Sequence, residues 1–261
     1  MSKIAIIGAG NMGGAIARGL LKSALGKASQ VSVSCPDKAQ LDALKAAFPA
    51  VEITTCNAEA VKDAALVVLC VKPWLAEPVV KEILPVLGET TVFASVVNAL
   101  TLDQMGALLG DSSRAVVRLV PNIAAEVGKS ITFLCYRGVS EADLPMVKQL
   151  AGSIGSVMEV EERLLKACTA LASCGIAYVM RYIHASMQGA VELGLYPRQA
   201  EEIMLRTMEG AIAMLESSGK HPEETIDRVT TPAGITIRGL NAMEEKGFTT
   251  AVIAGLLKSA E

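Results

Sequence analysis

One stretch near the start of the chain, Ile4-Ala5-Ile6-Ile7-Gly8-Ala9-Gly10-Asn11-Met12-Gly13-Gly14-Ala15-Ile16, constrains the fold more than any other. Four apolar residues lead into G-x-G-x-x-G, and a helical pattern follows at once. Strand, tight turn and helix N-terminus in that order are the context a dinucleotide-binding turn requires. Gly8 lets the chain turn sharply, Gly10 removes a side chain where a pyrophosphate would approach, and Gly13 lets the helix pack close to the strand. Asn11 and Met12 lie between them, where free N–H groups and the positive helix end would face the phosphates. The competing reading is an ordinary tight turn from strand to helix.

The rest of the first part alternates. Strands are expected at roughly 3–7, 30–34, 51–54, 65–71, 91–97 and 114–120, with helical segments between them such as 37–48 and 75–87. This alternation predicts an α/β fold, a Rossmann-like doubly wound and mostly parallel sheet. Further strands near 129–136 and 156–160 extend the sheet at its far edge. From Glu161 onward the pattern is almost entirely helical, which predicts an all-α C-terminal domain. The expected division is 1–161, a nucleotide-binding domain, and 162–261, a helical dimerisation and substrate-binding domain. The segment 164–193 is apolar nearly all round and rich in small residues, so it needs burial. A lone helical domain of about 100 residues would struggle to bury that much surface, so a subunit interface is the natural solution, the alternative being that the sheet domain of the same chain covers it.

Charge and composition exclude several function classes. The net charge is −3 with no basic block, and aromatic residues are 3% of the chain, which argues against nucleic acid as a partner. No apolar run is seen to reach the roughly 18–20 residues of a membrane span, and no membrane partner is expected. The N-terminal residues lack a signal-peptide pattern. The cysteines at 35, 56, 70, 135, 168 and 174 show no metal or disulfide spacing and are expected as small buried thiols in a reducing cytoplasm. His184 lies in an apolar helical stretch and is expected in the core, and His221 is expected in a loop. No metal site is predicted.

Two further places bear on chemistry. Folds that select NAD end the second strand with an acidic residue that binds the ribose hydroxyls. Here that strand ends at Ser34, and Asp37 suits the N-cap of a helix beginning at Lys38. Ser34 and Lys38 could receive a 2′-phosphate, so NADPH is favoured as the cofactor, with NADH as the alternative. Near the C-terminus, Thr231 suits an N-cap and Pro232 the first helical position of a helix reaching about Lys246. That helix start is read either as ordinary capping or as a carboxylate site made of backbone N–H groups, with the Thr236 hydroxyl beside it.

With the glycine turn, Val71-Lys72-Pro73, Pro121-Asn122, Glu159-Val160-Glu161-Glu162 and Thr231-Pro232-Ala233-Gly234-Ile235-Thr236, the chain resembles the pyrroline-5-carboxylate reductases essentially end to end. The resemblance implies NAD(P)H-dependent reduction of the cyclic imine Δ1-pyrroline-5-carboxylate to L-proline, the last step of proline biosynthesis. It also implies a homodimer interlocked through the C-terminal helices, often assembled into a ring of five dimers. Carried over by residue, Gly8 to Gly13 would hold the pyrophosphate. Ser34 and Asn57 would lie by the adenosine ribose, and Val71, Lys72 and Pro73 near the nicotinamide, with Asn122 also on the cofactor. Thr231, Gly234 and Ile235 match the substrate-carboxylate loop, and Thr236 matches the threonine at the imine nitrogen, the catalytic assignment.

The chain departs from the family pattern at several of these places. P-N-T-P becomes Pro121-Asn122-Ile123-Ala124, S-G-S-G-P-A-Y becomes Ala172-Ser173-Cys174-Gly175-Ile176-Ala177-Tyr178, A-A-G becomes Val97-Asn98-Ala99, and P-G-G becomes Pro232-Ala233-Gly234. The alternatives are therefore a related imine reductase with another substrate and a non-catalytic nucleotide-binding paralogue. A β-hydroxyacid dehydrogenase would need K-x-x-N on the first helix after the sheet, and no such sequence occurs in the chain.

Overall fold

A computed structural model describes residues 2–261. Its first part runs β1 (Lys3–Ile7), α1 (Asn11–Lys22), α2 (Ala24–Ala28), β2 (Gln30–Ser34), α3 (Lys38–Ala47), β3 (Glu52–Thr54), α4 (Asn57–Val61), β4 (Leu66–Leu69), α5 (Ala76–Ile83), β5 (Val92–Ser95), α6 (Leu102–Leu108), β6 (Val116–Val120), β7 (Ser130–Arg137), α7 (Leu144–Gly152) and β8 (Gly155–Glu159). The strands form one sheet in the order β3-β2-β1-β4-β5-β6-β7-β8. All pairs are parallel except β6–β7. A parallel return needs a crossover of about a dozen residues or more. The link from β6 to β7 holds only the short 3₁₀ helix Ile123–Val127, closed by Gly128 at φ +69°, so the chain doubles back antiparallel.

Strands covered on both faces read as unbroken apolar runs. Leu66-Val67-Val68-Leu69 of β4 is fully buried, and Ile4 and Ile6 of β1 pack with Ile16 and Leu20 of α1 in the core. The expected strands are all present, and the fold is Rossmann-like.

The helical part opens on a long helix, Glu162–Glu192. It comprises a 3₁₀ turn, α8 (Leu165–Thr169), a π-helical turn (Ala170–Cys174) and α9 (Gly175–Glu192), followed by α10 (Pro197–Ser218), α11 (Pro222–Val229), α12 (Ile235–Glu245) and α13 (Phe248–Ser259). The two compact units part between Cys168 and Thr169, inside this helix.

Three expectations need correction here. The helix Glu162–Glu192 is long and apolar enough to cross a membrane by length and composition, with a mean hydropathy of 1.3. Arg181 and His184 interrupt the apolar stretch, so no unbroken apolar run in the sequence has that length. His184 is exposed within the chain rather than part of a core. Cys56 is exposed as well, whereas Cys35 and Cys135 are buried as expected. His221 lies in the loop before α11, as expected, and caps that helix, its Nδ1 accepting a hydrogen bond from the Glu223 N–H at 3.3 Å.

Candidate functional site

Parallel strands bring their C-terminal ends to one edge of the sheet. Gly8 follows β1 there, Cys35 follows β2, and Val71 lies just beyond β4. The strand order reverses between β1 and β4, the place where open α/β sheets form a ligand crevice. Gly8 has φ +96°, and a Cβ on it would stand 2.6 Å from the Cys70 carbonyl oxygen. A Cβ on Gly13 would stand 1.9 Å from the Gly8 carbonyl oxygen, so α1 could not approach β1 with any side chain there. Gly10 differs from both. Its backbone is extended, and a Cβ on it would meet nothing within 4 Å. The protein's own packing does not require glycine at that position, whereas a ligand lying over the turn would. No side chain caps the N-terminus of α1, which leaves the first N–H groups of Asn11, Met12 and Gly13 open to such a ligand. The Cys70 thiol beneath the turn is pushed up to about 12 by burial, which makes it inert at neutral pH.

The structure joins the predicted ribose residues to this turn. The Gly8 N–H donates to the Ser34 carbonyl at 2.8 Å. The Ser34 hydroxyl donates to Asn57 Oδ1 at 2.8 Å, and Asn57 Nδ2 donates to Glu82 Oε2 at 2.9 Å. Ser34 is completely buried, so its hydroxyl faces Asn57 rather than solvent. Asp37 caps α3 as expected, its Oδ1 accepting from the N–H groups of Ala39 and Gln40 at 3.0 and 3.3 Å.

Further along the same edge, Val71 packs beside Gly8, and Lys72 and Pro73 are exposed, followed by Trp74 at 74% exposure. Asn122 follows β6 but is buried, and its Oδ1 accepts from the Ala124 N–H at 3.1 Å, capping the 3₁₀ helix. Ile123, one of the departures from the family pattern, is exposed on that helix. Sequence reading missed Arg118 on β6. Its guanidinium is buried and donates to Glu162 Oε1 and to the Asn98 carbonyl, both at 2.7 Å. The same Glu162 oxygen accepts from the Leu102 N–H at 2.8 Å, so one ion pair ties the loop after β5 to α6 and to the start of the long helix. The only sequence signal was a lone arginine in an apolar strand.

In the helical unit the second turn differs from expectation. The helix starts at Ile235 with Gly234 as N-cap, not at Thr231 and Pro232. Thr231 to Gly234 form a β-turn closed by the Gly234 N–H on the Thr231 carbonyl at 2.9 Å. Ala233 has φ +58°, the pattern of a type II turn, and a residue in that conformation cannot belong to a right-handed helix. The structure therefore brings Thr231, Gly234, Ile235 and Thr236 together, but as a turn followed by a helix N-terminus. No side chain caps that terminus, and Thr236 is exposed on the first turn of α12. Arg238, which sequence reading did not single out, reaches back to the Gly234 and Ala233 carbonyls at 3.3 Å each, which places a positive charge beside the turn.

Both parts of the chain match known protein families. The family described as "Pyrroline-5-carboxylate reductase dimerisation" matches residues 162–261, and the family described as "NADP oxidoreductase coenzyme F420-dependent" matches residues 3–99. Pyrroline-5-carboxylate reductase 2 of Bacillus subtilis is 34% identical over 100% of this chain and 94% of its own length. Pyrroline-5-carboxylate reductase 1 of Dictyostelium discoideum is 32% identical over 99% of this chain, which spans 48% of that longer relative. The solved pyrroline-5-carboxylate reductase of Coxiella burnetii superposes with a TM-score of 0.91 at 26% identity, over 99% of this chain and 96% of that one. A relative of this identity, matched along nearly its whole length, settles the assignment: the chain belongs to the pyrroline-5-carboxylate reductase family.

Proposed function

We propose that this protein reduces Δ1-pyrroline-5-carboxylate to L-proline with NADPH, residues 1–161 binding the nucleotide and 162–261 the substrate and the partner subunit. The observation that carries this reading is the uncapped N-terminus of α12 with Thr236 on its first turn, in a chain of this family. The nucleotide turn fits the cofactor: Gly10 opens onto free space, and the α1 donors are uncapped. Gly8 to Gly13 would hold the pyrophosphate, Ser34 and Asn57 border the ribose, and Val71, Lys72, Pro73 and Asn122 lie toward the nicotinamide. When bound, NADPH supplies the hydride that the imine carbon receives.

The chain's own residues position and protonate. The N–H groups of Ile235 and Thr236 face an anion along the helix axis and hold the substrate carboxylate, with Arg238 adding positive potential. The Thr236 hydroxyl hydrogen-bonds the imine nitrogen and delivers the proton that the nitrogen gains, recovering it from solvent. Holding two reactants in one geometry accounts for most of the acceleration such a site needs.

Exposed apolar faces support the association of two copies. No residue of α9 is buried within the chain, and Leu171, Met180 and Leu193 are exposed. Beside them an apolar cleft of about 510 Å³ runs between α9, α12 and α13, lined by Tyr178, Tyr182, Met243 and Phe248. A second copy covers these faces, forming a homodimer that assembles further into a ring of five. Six free cysteines fit a reducing cytoplasm.

Purified protein should oxidise NADPH when given pyrroline-5-carboxylate and should form proline. An absence of both, with oxidation by another cyclic imine, would favour an altered substrate, a reading that the exposed Ile123 at the sheet edge motivates.

A further inference from the structure

The hydrogen-bond chain that leaves the glycine turn ends on a carboxylate. It runs from the Gly8 N–H to the Ser34 carbonyl, from the Ser34 hydroxyl to Asn57 Oδ1, and from Asn57 Nδ2 to Glu82 Oε2 at 2.9 Å. Its direction matters. The single Ser34 proton points inward at Asn57. The Asn57 amide is thereby turned with its oxygen inward and its nitrogen outward, and one of its two amide hydrogens is held by Glu82. At the tip of β2, where nucleotide-binding sheets read the 2′ position of the ribose, the outermost group of this chain is an anion. It comes from α5, twenty-five positions along the chain from Asn57, and not from the strand itself.

We infer that Glu82 is a specificity-determining residue for the nucleotide. It stands in for the carboxylate absent from the end of β2. It accepts a hydrogen bond from a ribose hydroxyl of NADH, repels a 2′-phosphate, and engages the Asn57 amide that would otherwise donate to that phosphate. Lys38, exposed on the first turn of α3, pulls the other way. The nucleotide preference of this protein is thus set by the balance of two exposed charges, and the carboxylate makes it less selective for NADPH than the serine at the tip of β2 alone would imply. This inference rests on the nicotinamide-nucleotide reading above.

The test is direct titration of NADPH and of NADH by nucleotide fluorescence, without substrate, on the wild type and on Glu82→Gln. One screened unit charge beside a phosphate predicts that the variant binds NADPH about tenfold more tightly, equivalent to about 1.4 kcal/mol. NADH binding should be unchanged or weaker. The gain should shrink between about 0.05 and 0.5 M salt, because exposed charges are screened over a Debye length. Thermal unfolding should be the same for both proteins, since Glu82 is exposed. Equal shifts for both nucleotides, or no shift for either, would overturn the inference while leaving the proposed function standing. A wild type that binds neither nucleotide would overturn both.

Discussion

The glycines of the nucleotide turn divide into those the fold needs and one it does not, and a matched pair of substitutions separates them. Gly13→Val places a Cβ 1.9 Å from the Gly8 carbonyl oxygen and 2.8 Å from the Cys70 Cβ. Ordinary contact begins well beyond 3 Å, so α1 must move by more than 1 Å against the sheet. Overpacking of this kind costs about 3 kcal/mol or more. At about 2–4 °C per kcal/mol for a chain of this size, Tm should fall by roughly 6–12 °C, or the protein should fail to fold soluble. Gly10→Val meets nothing within 4 Å and keeps an extended backbone that valine readily adopts. Its structural cost is confined to a poorer N-cap, about 1 kcal/mol or less. Its branched side chain fills the space where the pyrophosphate must lie, so the NADPH Kd should rise at least about 100-fold, equivalent to about 2.7 kcal/mol. Circular dichroism melts and NADPH fluorescence titrations read the two effects separately. Wild-type affinity in Gly10→Val would refute the placement of the cofactor. A Tm loss as large as that of Gly13→Val would refute the claim that the space above Gly10 is free.

Three further expectations follow from the helical unit. Thr236→Val should lower kcat about 10- to 100-fold on an accepted imine, at or below the low end of general acid–base assistance, with NADPH affinity unchanged; a full kcat would reduce Thr236 to a helix-turn residue. Ala233→Gly removes an L-residue from φ +58° and should stabilise the fold by about 1 kcal/mol, seen as a Tm rise of about 2–4 °C. A Tm that stayed level or fell would show that the turn carries no such strain. Ala177→Glu puts a charge in the middle of the apolar face of the long helix and should give aggregates or unfolded protein rather than a soluble monomer. A stable wild-type monomer in sedimentation would remove the basis for that expectation.

Much of the molecule was legible in the sequence because it rests on short-range pattern. The strands β1, β4 and β5 announce themselves as apolar runs, since a parallel strand covered on both faces has no polar side to show. The roles of Gly8 and Gly13 follow from a strand turning into a helix within six residues, and the Asp37 cap from its place just before α3. What the sequence left open depends on partners distant along the chain. Whether Ser34 faces solvent was decided by Asn57, and the orientation of Asn57 by Glu82, neither adjacent in sequence. Arg118 reads as an anomaly in an apolar strand until Glu162, forty-four positions later, pairs with it. The start of α12 shifted from Pro232 to Ile235 because Ala233 adopts a left-handed conformation that composition gives no reason to expect. The long helix shows its need for cover in its apolar sequence, but only the three-dimensional chain shows that α9 buries none of its own residues. Periodicity records which side of an element is apolar. Which distant group meets that side is a property of the folded arrangement, because hydrogen bonds and ion pairs are satisfied in space and not along the chain.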